Sequence, residues 1–408
     1  MRSTSSAPAA VILTCEYPPF PGGIGTYSGE LAAALGGGGV RTSVIAPSYP
    51  DLPGALPESI EHHLVFGHHR ITPKAIPRIL AALRRLPRGA PVLAADVRTV
   101  LLVWLLRPLH RRSYRVMVHG SEASKFGQGG MLFAAARRAY HGAELVAYNS
   151  QATREIFRAQ LGTPRVEAVT YLGVDRQWFD DAPGEGFIHP ELASLAPDLP
   201  VFCSVGRLEE RKGQVEAIRA LALARDNASY LAGAVYVVVG RTEDDDYAKR
   251  IVDEARRLSV RVILTGRLGV DDIKRLYRRS LAHLLFAVAL PGKIEGFGLV
   301  LLEAAAQECP SIVTRVGGIP EVLGDTGSAV EPGDTGAFAA LIVTIAGPDG
   351  HREAMGRAAR RNALRFTWTA CARATFPEFS ALLPEHPVAD ESTAARAVGV
   401  SEDLLTNA

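Results

Sequence analysis

The chain has 408 residues, 47% of them hydrophobic, and a net charge of +2. That length supports two domains with full cores, and the near-neutral balance implies no nucleic-acid partner. No apolar run approaches the roughly 18 residues a membrane-crossing helix needs, and Cys15, Cys203, Cys309 and Cys371 lack the close spacing of a metal or redox motif.

Residues 1–10 are small and polar and read as a loose tail, followed by a first strand near Val11–Thr14. The Val11-Ile-Leu13 run is too short for a signal-peptide core. A loop with Gly22-Gly23-Ile24-Gly25 leads into a helix from Thr26 to Leu35. Strands follow at Thr42–Ala46, Pro91–Ala95, Arg115–Val118 and Leu145–Tyr148, with helices at Pro77–Arg85, Val97–Leu106, Met131–His141 and Gln151–Ala159. Alternation of short apolar runs with helical stretches predicts an α/β, doubly wound parallel sheet. Asp180 to Pro200 is rich in Pro, Asp and Gly and reads as a linker. The alternation then restarts, with strands at Val201–Val205, Ala234–Val239, Val262–Thr265, His283–Ala287 and Ser311–Thr314. Helices at Gln214–Ala224 and Asp246–Leu258, and a helical stretch from Ala337 to Leu382, complete the second half.

Two such domains leave a cleft that faces the carboxyl ends of their strands. The residues suited to chemistry fall on the loops at those ends. Gly22 and Gly23 follow the first strand and permit close backbone approach. Val118-His119-Gly120 ends a buried strand, so His119 points into the cleft. Gly206-Arg207 to Lys212-Gly213 offers a planar guanidinium and a point charge for phosphate oxygens, although Glu209, Glu210 and Arg211 also suit a solvated turn. Glu295-Gly-Phe-Gly298 opens a helix carrying Glu303, and a helix mouth suits a phosphate. Glu295 and Glu303 are placed to bind paired hydroxyls of a sugar or ribose. Asp244 to Asp246 has an Asp-x-Asp pattern, but it opens a helix, where acids complement the dipole. His62-His63 and His68-His69 read as loop-strand residues rather than ligands.

In order along residues 11–325, Gly22-Gly23, His119-Gly120, Gly173-Val-Asp175, Gly206-Arg207 with Lys212-Gly213, Gly266-Arg267-Leu268, Glu295 through Glu303 and Gly317-Gly-Ile-Pro-Glu321 resemble the motifs of family 4 retaining glycosyltransferases with the GT-B fold. The Phe366-Thr-Trp368 region resembles the helix that crosses back to the first domain. The resemblance implies an acceptor-side Rossmann-like domain at 11–185, a nucleotide-sugar-binding one at 196–355, a crossing helix at 356–383 and a loose tail at 384–408. It also implies roles. Arg207 and Lys212 hold the donor diphosphate, with Gly206 at the turn. Backbone N–H groups of Phe297, Gly298 and Leu299 contact phosphate or sugar. Glu303 binds ribose, Glu295 a donor-sugar hydroxyl, and His119 the transferred sugar. Gly23 approaches the diphosphate from the other domain, and Arg267 and Leu268 lie near the base.

The activity so implied is metal-independent transfer of a hexose-type sugar, with retention, from a GDP- or UDP-linked donor. It needs no cofactor beyond that donor. The alternatives are a sugar-nucleotide epimerase and a non-catalytic sugar-nucleotide binder. The acceptor is a small molecule or a lipid, the compartment the cytoplasm. Lys293 departs from the family pattern, which bears on the donor sugar. Residues 77–115 carry nine arginines (78, 84, 85, 88, 98, 107, 111, 112 and 115) against Asp96 alone, with Trp104 among leucines and valines. This stretch reads either as a buried helix flanked by solvated arginines or as a basic surface for peripheral membrane contact.

Overall fold

The computed structural model describes residues 7–384 apart from 21, 50–56, 68–70, 121, 123–128, 183, 185, 243, 327 and 350. His68-His69, Glu243 and the expected C-terminal tail beyond Pro384 lie outside the described residues.

The first half builds β1 (Ala9–Leu13), α1 (Gly23–Gly37), β2 (Arg41–Ser48), β3 (Glu61–Gly67), α2 (Ile76–Arg85), β4 (Val92–Ala94), α3 (Val97–His110), β5 (Tyr114–Val118), α4 (Gly130–His141), β6 (Leu145–Tyr148), α5 (Gln151–Leu161) and β7 (Glu167–Val169). Its strands form one parallel sheet in the order β3-β2-β1-β4-β5-β6-β7. After a one-turn helix, α6 (Pro190–Ala193), come β8 (Val201–Val205), α7 (Gln214–Asn227), β9 (Val235–Val239), α8 (Asp245–Arg257), β10 (Arg261–Gly266), α9 (Val270–Arg279), β11 (Ala282–Leu285), α10 (Leu299–Ala306), β12 (Ser311–Thr314), α11 (Ile319–Leu323) and β13 (Ser328–Val330). This second sheet is also parallel, ordered β10-β9-β8-β11-β12-β13. The chain closes with α12 (Thr335–Ala346), α13 (His351–Ala363) and α14 (Trp368–Thr375). Both domains are thus Rossmann-like and doubly wound.

Each sheet reverses its winding at one point, between β1 and β4 in the first and between β8 and β11 in the second. The loops leaving these pairs of strands part to opposite faces, and the crevice between them is where such folds bind ligands.

Several local expectations shift. β1 starts at Ala9, inside the segment read as a tail. α1 starts at Gly23, not Thr26, so its glycines form the helix mouth itself. β7, β13, α6, α9 and α11 went unpredicted, and β3 was read only as a loop-strand region: β7 and β13 are three residues long, and β3 alternates buried and open positions only weakly.

The crossing segment is two helices rather than one. α13 packs on α10 of the second domain, and α14 packs on α1 of the first. Between them the carbonyl of Phe366 accepts the Val174 N–H at 3.1 Å, and Thr367 caps α14 by accepting the Ala370 N–H at 3.1 Å. A side chain at Gly173 would strike the Trp368 nitrogen at 2.2 Å, so glycine is required where these two crossings of the chain touch. Arg115 at the start of the first sheet fixes the far end, donating to the Thr375 carbonyl at 2.8 Å and pairing with Glu378 at 2.9 Å. One hydrophobic cluster runs from Tyr27, Leu31 and Leu35 of α1 through Trp368, Ala372 and Phe376 into the second domain. All four cysteines are buried and unbridged. Among the described residues no helix is long and apolar enough to cross a membrane.

Candidate active site

The turn after β8 and the loop after β11 lie on either side of the second sheet's switch point. They are pressed together: the Val288 N–H donates to the Arg211 carbonyl at 2.9 Å, and a Cβ on Gly213 (φ 65) would meet the Phe286 oxygen at 1.7 Å. Gly206 is held likewise, since a Cβ on Gly240 would meet its carbonyl oxygen at 1.8 Å. These contacts aim the intervening side chains into the crevice.

Lys212 Nζ lies 2.7 Å from Glu295 Oε2, and Arg211 bonds the same oxygen and also Glu209. Arg211 had suggested a solvated turn; its side chain is in fact only 11% exposed. Burial disfavours its charge, but Glu295 and Glu209 more than restore it and its pKa is raised. Burial likewise pushes the Glu295 pKa up, and Lys212 with Arg211 overcome that, leaving it below the usual carboxylate range. A carboxylate this buried needs such partners. Oε1 of Glu295 makes no hydrogen bond to the described residues. Arg207 is half exposed and lies 3.3 Å from Glu209.

After Glu295 the chain turns through Gly296 and Gly298 (φ 96) into α10. The N–H groups of Phe297, Gly298 and Leu299 have no acceptor among the described residues, as expected at a helix mouth. The loop is supported from below, where Gly318 N–H donates to the Glu295 carbonyl at 3.0 Å. Phe297 is buried and clusters with Tyr171 and Phe366, whose ring centroids are 6.2 and 6.0 Å away.

Glu303 stands on α10, half-buried, with no hydrogen bond to the described residues. Burial raises its pKa to about 7, opposed by Lys212. It borders a cavity of about 30 Å³ with Thr26, Glu30, Asp175 and Trp368. That is room for a water or two and not for a ribose. Glu30 is also raised to about 7, by burial and by Asp175 beside it.

From the first domain, His119 ends β5. Its Nε2 lies 3.0 Å from the Ala95 carbonyl, which can only accept, so Nε2 carries the proton. Burial depresses its pKa to about 4, so the ring is neutral at physiological pH. Its carbonyl accepts from Asn149 Nδ2 at 3.2 Å, and a Cβ on Gly296 would meet that carbonyl oxygen at 2.2 Å. His119-Gly120 and Glu295-Gly296 therefore abut across the cleft. Gly22 caps α1, and a Cβ on Gly23 would meet nothing within 4 Å. Nearby, Phe20 stacks on Tyr49 at 5.3 Å, with the Arg241 guanidinium of the second domain 5.9 Å from its ring. Arg267 and Leu268 follow β10, an edge strand, the arginine exposed and the leucine half-buried.

Two residues that stand inside the quoted motifs without an assigned role belong to this cleft. One is Arg211. The other is Glu321 on α11, which accepts from Gln151 N–H at 2.7 Å, Ala152 N–H at 2.9 Å and Tyr171 hydroxyl at 3.0 Å, all in the first half of the chain.

The remaining motifs fall elsewhere. Asp244 caps α8, accepting from Tyr247 N–H at 3.1 Å. His62 lies on β3 with its Nε2 3.1 Å from the Tyr17 hydroxyl, and His63 pairs with Glu61 at 3.0 Å. Lys293 closes a tight turn, its N–H donating to Leu290 at 3.0 Å. The arginine-rich stretch does not line the cleft as one surface. Arg112 is buried and its guanidinium donates to the carbonyls of Leu83, Leu86, Pro87 and Ala90. Arg115 is buried as well. Arg98 sits at the first turn of α3, by the crevice, whereas Arg84, Arg85, Arg88, Arg107 and Arg111 lie towards the edge where the strands start.

Residues 191–362 match the family described as Glycosyl transferases group 1, and residues 21–178 match Glycosyltransferase Family 4. A D-inositol 3-phosphate glycosyltransferase of Streptomyces avermitilis is 29% identical over 252 residues, 59% of this chain and 52% of that protein. The chain spans about half the length of this and other curated relatives it matches. A GDP-mannose-dependent alpha-(1-6)-phosphatidylinositol monomannoside mannosyltransferase of Mycolicibacterium smegmatis is 28% identical over 381 residues, 87% of this chain and 93% of that one. Among solved structures, HepE of Anabaena in complex with UDP-glucose superposes with a TM-score of 0.73 at 20% identity, covering 91% of this chain and 99% of that one. That likeness establishes the GT-B fold.

Proposed function

This chain belongs to the family 4, group 1 glycosyltransferases, and from that premise we propose that it transfers a hexose-type sugar from a nucleoside-diphosphate sugar to an acceptor nucleophile, with retention and without a metal ion. The observation that carries the reading is the meeting, at one switch point, of Arg207, Lys212 and the open N–H groups of α10 with two carboxylates, Glu295 and Glu303, that keep free acceptor oxygens.

Cleaving a sugar–diphosphate bond builds negative charge on the leaving phosphate. Arg207, Lys212 and the α10 mouth would stabilise it, each cation contributing about 3 kcal/mol to the barrier, or roughly a hundredfold in rate. Glu303 would gain ribose hydroxyls as partners once the cleft opens enough to admit the nucleotide. Oε1 of Glu295 would take a sugar hydroxyl while Oε2 keeps both cations in place. His119, with Nε2–H engaged by Ala95, would offer only Nδ1, as an acceptor for a sugar hydroxyl. The acceptor attacks from the face the phosphate leaves, and that phosphate takes its proton. Closure of the cleft limits loss of donor to water.

The GDP-mannose named for the Mycolicibacterium relative makes GDP-mannose the first donor to try, with UDP-linked sugars beside it. The acceptor is a small molecule or a lipid. Buried free cysteines fit a cytoplasmic setting. The test is a thermal-shift panel of UDP, GDP, ADP and TDP, followed by donor turnover with and without EDTA and by the anomeric configuration of the product. One nucleotide should raise the melting temperature, and turnover should survive EDTA with retention. Stabilisation by none of the four, with no release of nucleotide from any donor, would refute the reading. A new sugar nucleotide formed from donor alone would make the protein an epimerase, and nucleotide binding without turnover would make it a silent binder.

A further inference from the structure

In the first domain every strand starts at one edge, and the helices that precede β4 and β5 end there. α2 descends to Arg84 and Arg85, with Arg88 just beyond, and α3 descends to Arg107 and the Arg111 that ends it. The buried Arg112 guanidinium binds carbonyls at the end of α2 from its place just past the end of α3, so the two helix ends are held side by side. The five arginines around this junction are exposed. No acidic residue occurs between positions 68 and 121 except Asp96, which is buried as the cap of α3. Glu144 and Glu378, near the start of the neighbouring β5, are both engaged by Arg115.

Apolar side chains stand among these charges. Leu105 is 64% exposed and Leu109 52%, with Trp104 half-buried beside them. Trp104 and Leu105, together with Arg107, Pro108 and Arg111, line an open hollow of about 680 Å³. An indole and two leucines ringed by guanidinium groups match a layer of phosphate over hydrocarbon, because each component finds its own kind of partner there.

We propose that this strand-start edge of the first domain docks on an anionic phospholipid surface, Trp104, Leu105 and Leu109 entering the headgroup layer and Arg84, Arg85, Arg88, Arg107 and Arg111 pairing with lipid phosphates. The cleft opens at the opposite edge of the same sheet. The contact is therefore a tether that leaves the cleft facing water. It stands independently of the transferase reading.

The test is co-sedimentation of the full chain with vesicles of phosphatidylcholine alone and of phosphatidylcholine with an equal part of phosphatidylglycerol. Binding is expected only with phosphatidylglycerol, and it should weaken as added salt screens the charges. The double variant Arg107→Glu, Arg111→Glu should bind at least about tenfold more weakly, and Leu105→Ser with Leu109→Ser should also bind more weakly. Both should keep the wild-type melting temperature and nucleotide-induced shift. Trp178 and Trp368 are buried, so a blue shift of tryptophan emission on binding should vanish in Trp104→Phe. Absence of binding to the anionic vesicles at low salt would overturn the proposal. So would equal binding to both vesicle types, undiminished binding by the folded double variant, or displacement of vesicles by a short oligonucleotide, which would reveal a general polyanion site.

Discussion

Glu321 accepts the main-chain N–H of Gln151 at 2.7 Å, so a carboxylate of the second domain caps a helix of the first. The first turn of any helix has N–H groups without partners, and an acid there is favoured by the dipole. Opening the cleft would return α5's first turn to water and leave Glu321 without its partners. The residue is in effect a clasp for the closed arrangement.

Glu321→Ala should therefore weaken closure without unfolding either domain. Losing charge-assisted bonds of this kind costs about 1–3 kcal/mol, so donor turnover should fall roughly tenfold to a hundredfold. Small-angle scattering should report a larger radius for the variant. Glu321→Gln, which keeps one carbonyl acceptor, should fall between. Wild-type turnover with an unchanged radius in Glu321→Ala would show that the clasp has no part in closure.

Arg207 and Arg211 are four positions apart and should behave differently. Arg207 is half exposed, so Arg207→Ala should lower kcat/KM at least tenfold, about 1.4 kcal/mol or more, with little change in melting temperature. Arg211 shares buried Glu295 with Lys212, and Arg211→Ala should destabilise the fold by about 3 kcal/mol. Urea unfolding beside donor kinetics separates the two. Equal stability in both variants would contradict the burial of the Arg211–Glu295 pair.

Stability should fall as pH rises through 7. Glu303 and Glu30 have folded pKa values raised to about 7, mainly by burial, against 4.5 when free. Between those values the folded state binds more protons than the unfolded one, so stability drops with rising pH. His119, depressed to about 4 from 6.5, acts in the opposite sense but only below 6.5. The decline should thus be cleanest just above that pH and level off once both glutamates are ionised. Glu303→Gln should flatten it by about half, as read by urea midpoints across the range. A wild-type slope retained in full by the variant would remove Glu303 as its source.

Arg111 and Arg112 are adjacent but differ in kind. Arg112→Ala leaves the carbonyls that end α2 without their donor and should cost about 3 kcal/mol. Arg111, in the left-handed region at φ 53, should tolerate glycine with no loss and a slight gain. Melting temperatures decide it, and a Tm unchanged in Arg112→Ala would be the contrary result.

What spacing revealed and what it hid follow from where each partner lies. Arg207, Lys212, Glu295 and Glu303 stood out because each sits on a loop or helix that directly follows a strand, where glycine and apolar patterns mark the position. Arg211 did not, because its role depends on Glu295, carried by a loop that reaches the turn only after β9, β10 and β11 have been laid down. Glu321 depends on a helix terminus in the other domain, and nothing near it in sequence hints at that. Arg112 and Arg115 looked like surface charge because a run of arginines usually is; only the helix ends brought to Arg112, and Thr375 brought to Arg115, make them structural. The crossing segment was legible, but its division into α13 and α14 was not, since the Phe366 carbonyl between them meets the Val174 N–H from far away in sequence.

The packing of α14 on α1 also bears on how the chain is made. The first domain emerges from the ribosome with all of its strands, yet Tyr27, Leu31 and Leu35 lack the cover that Trp368, Ala372 and Phe376 provide. That cover is synthesised only after the whole second domain, a delay of roughly ten seconds or more at ordinary translation speeds. During that interval an apolar stripe on the nascent first domain is open to chaperones or to other nascent chains. A chain stopped before Trp368 would keep both sheets and still carry that stripe uncovered for as long as it lasted.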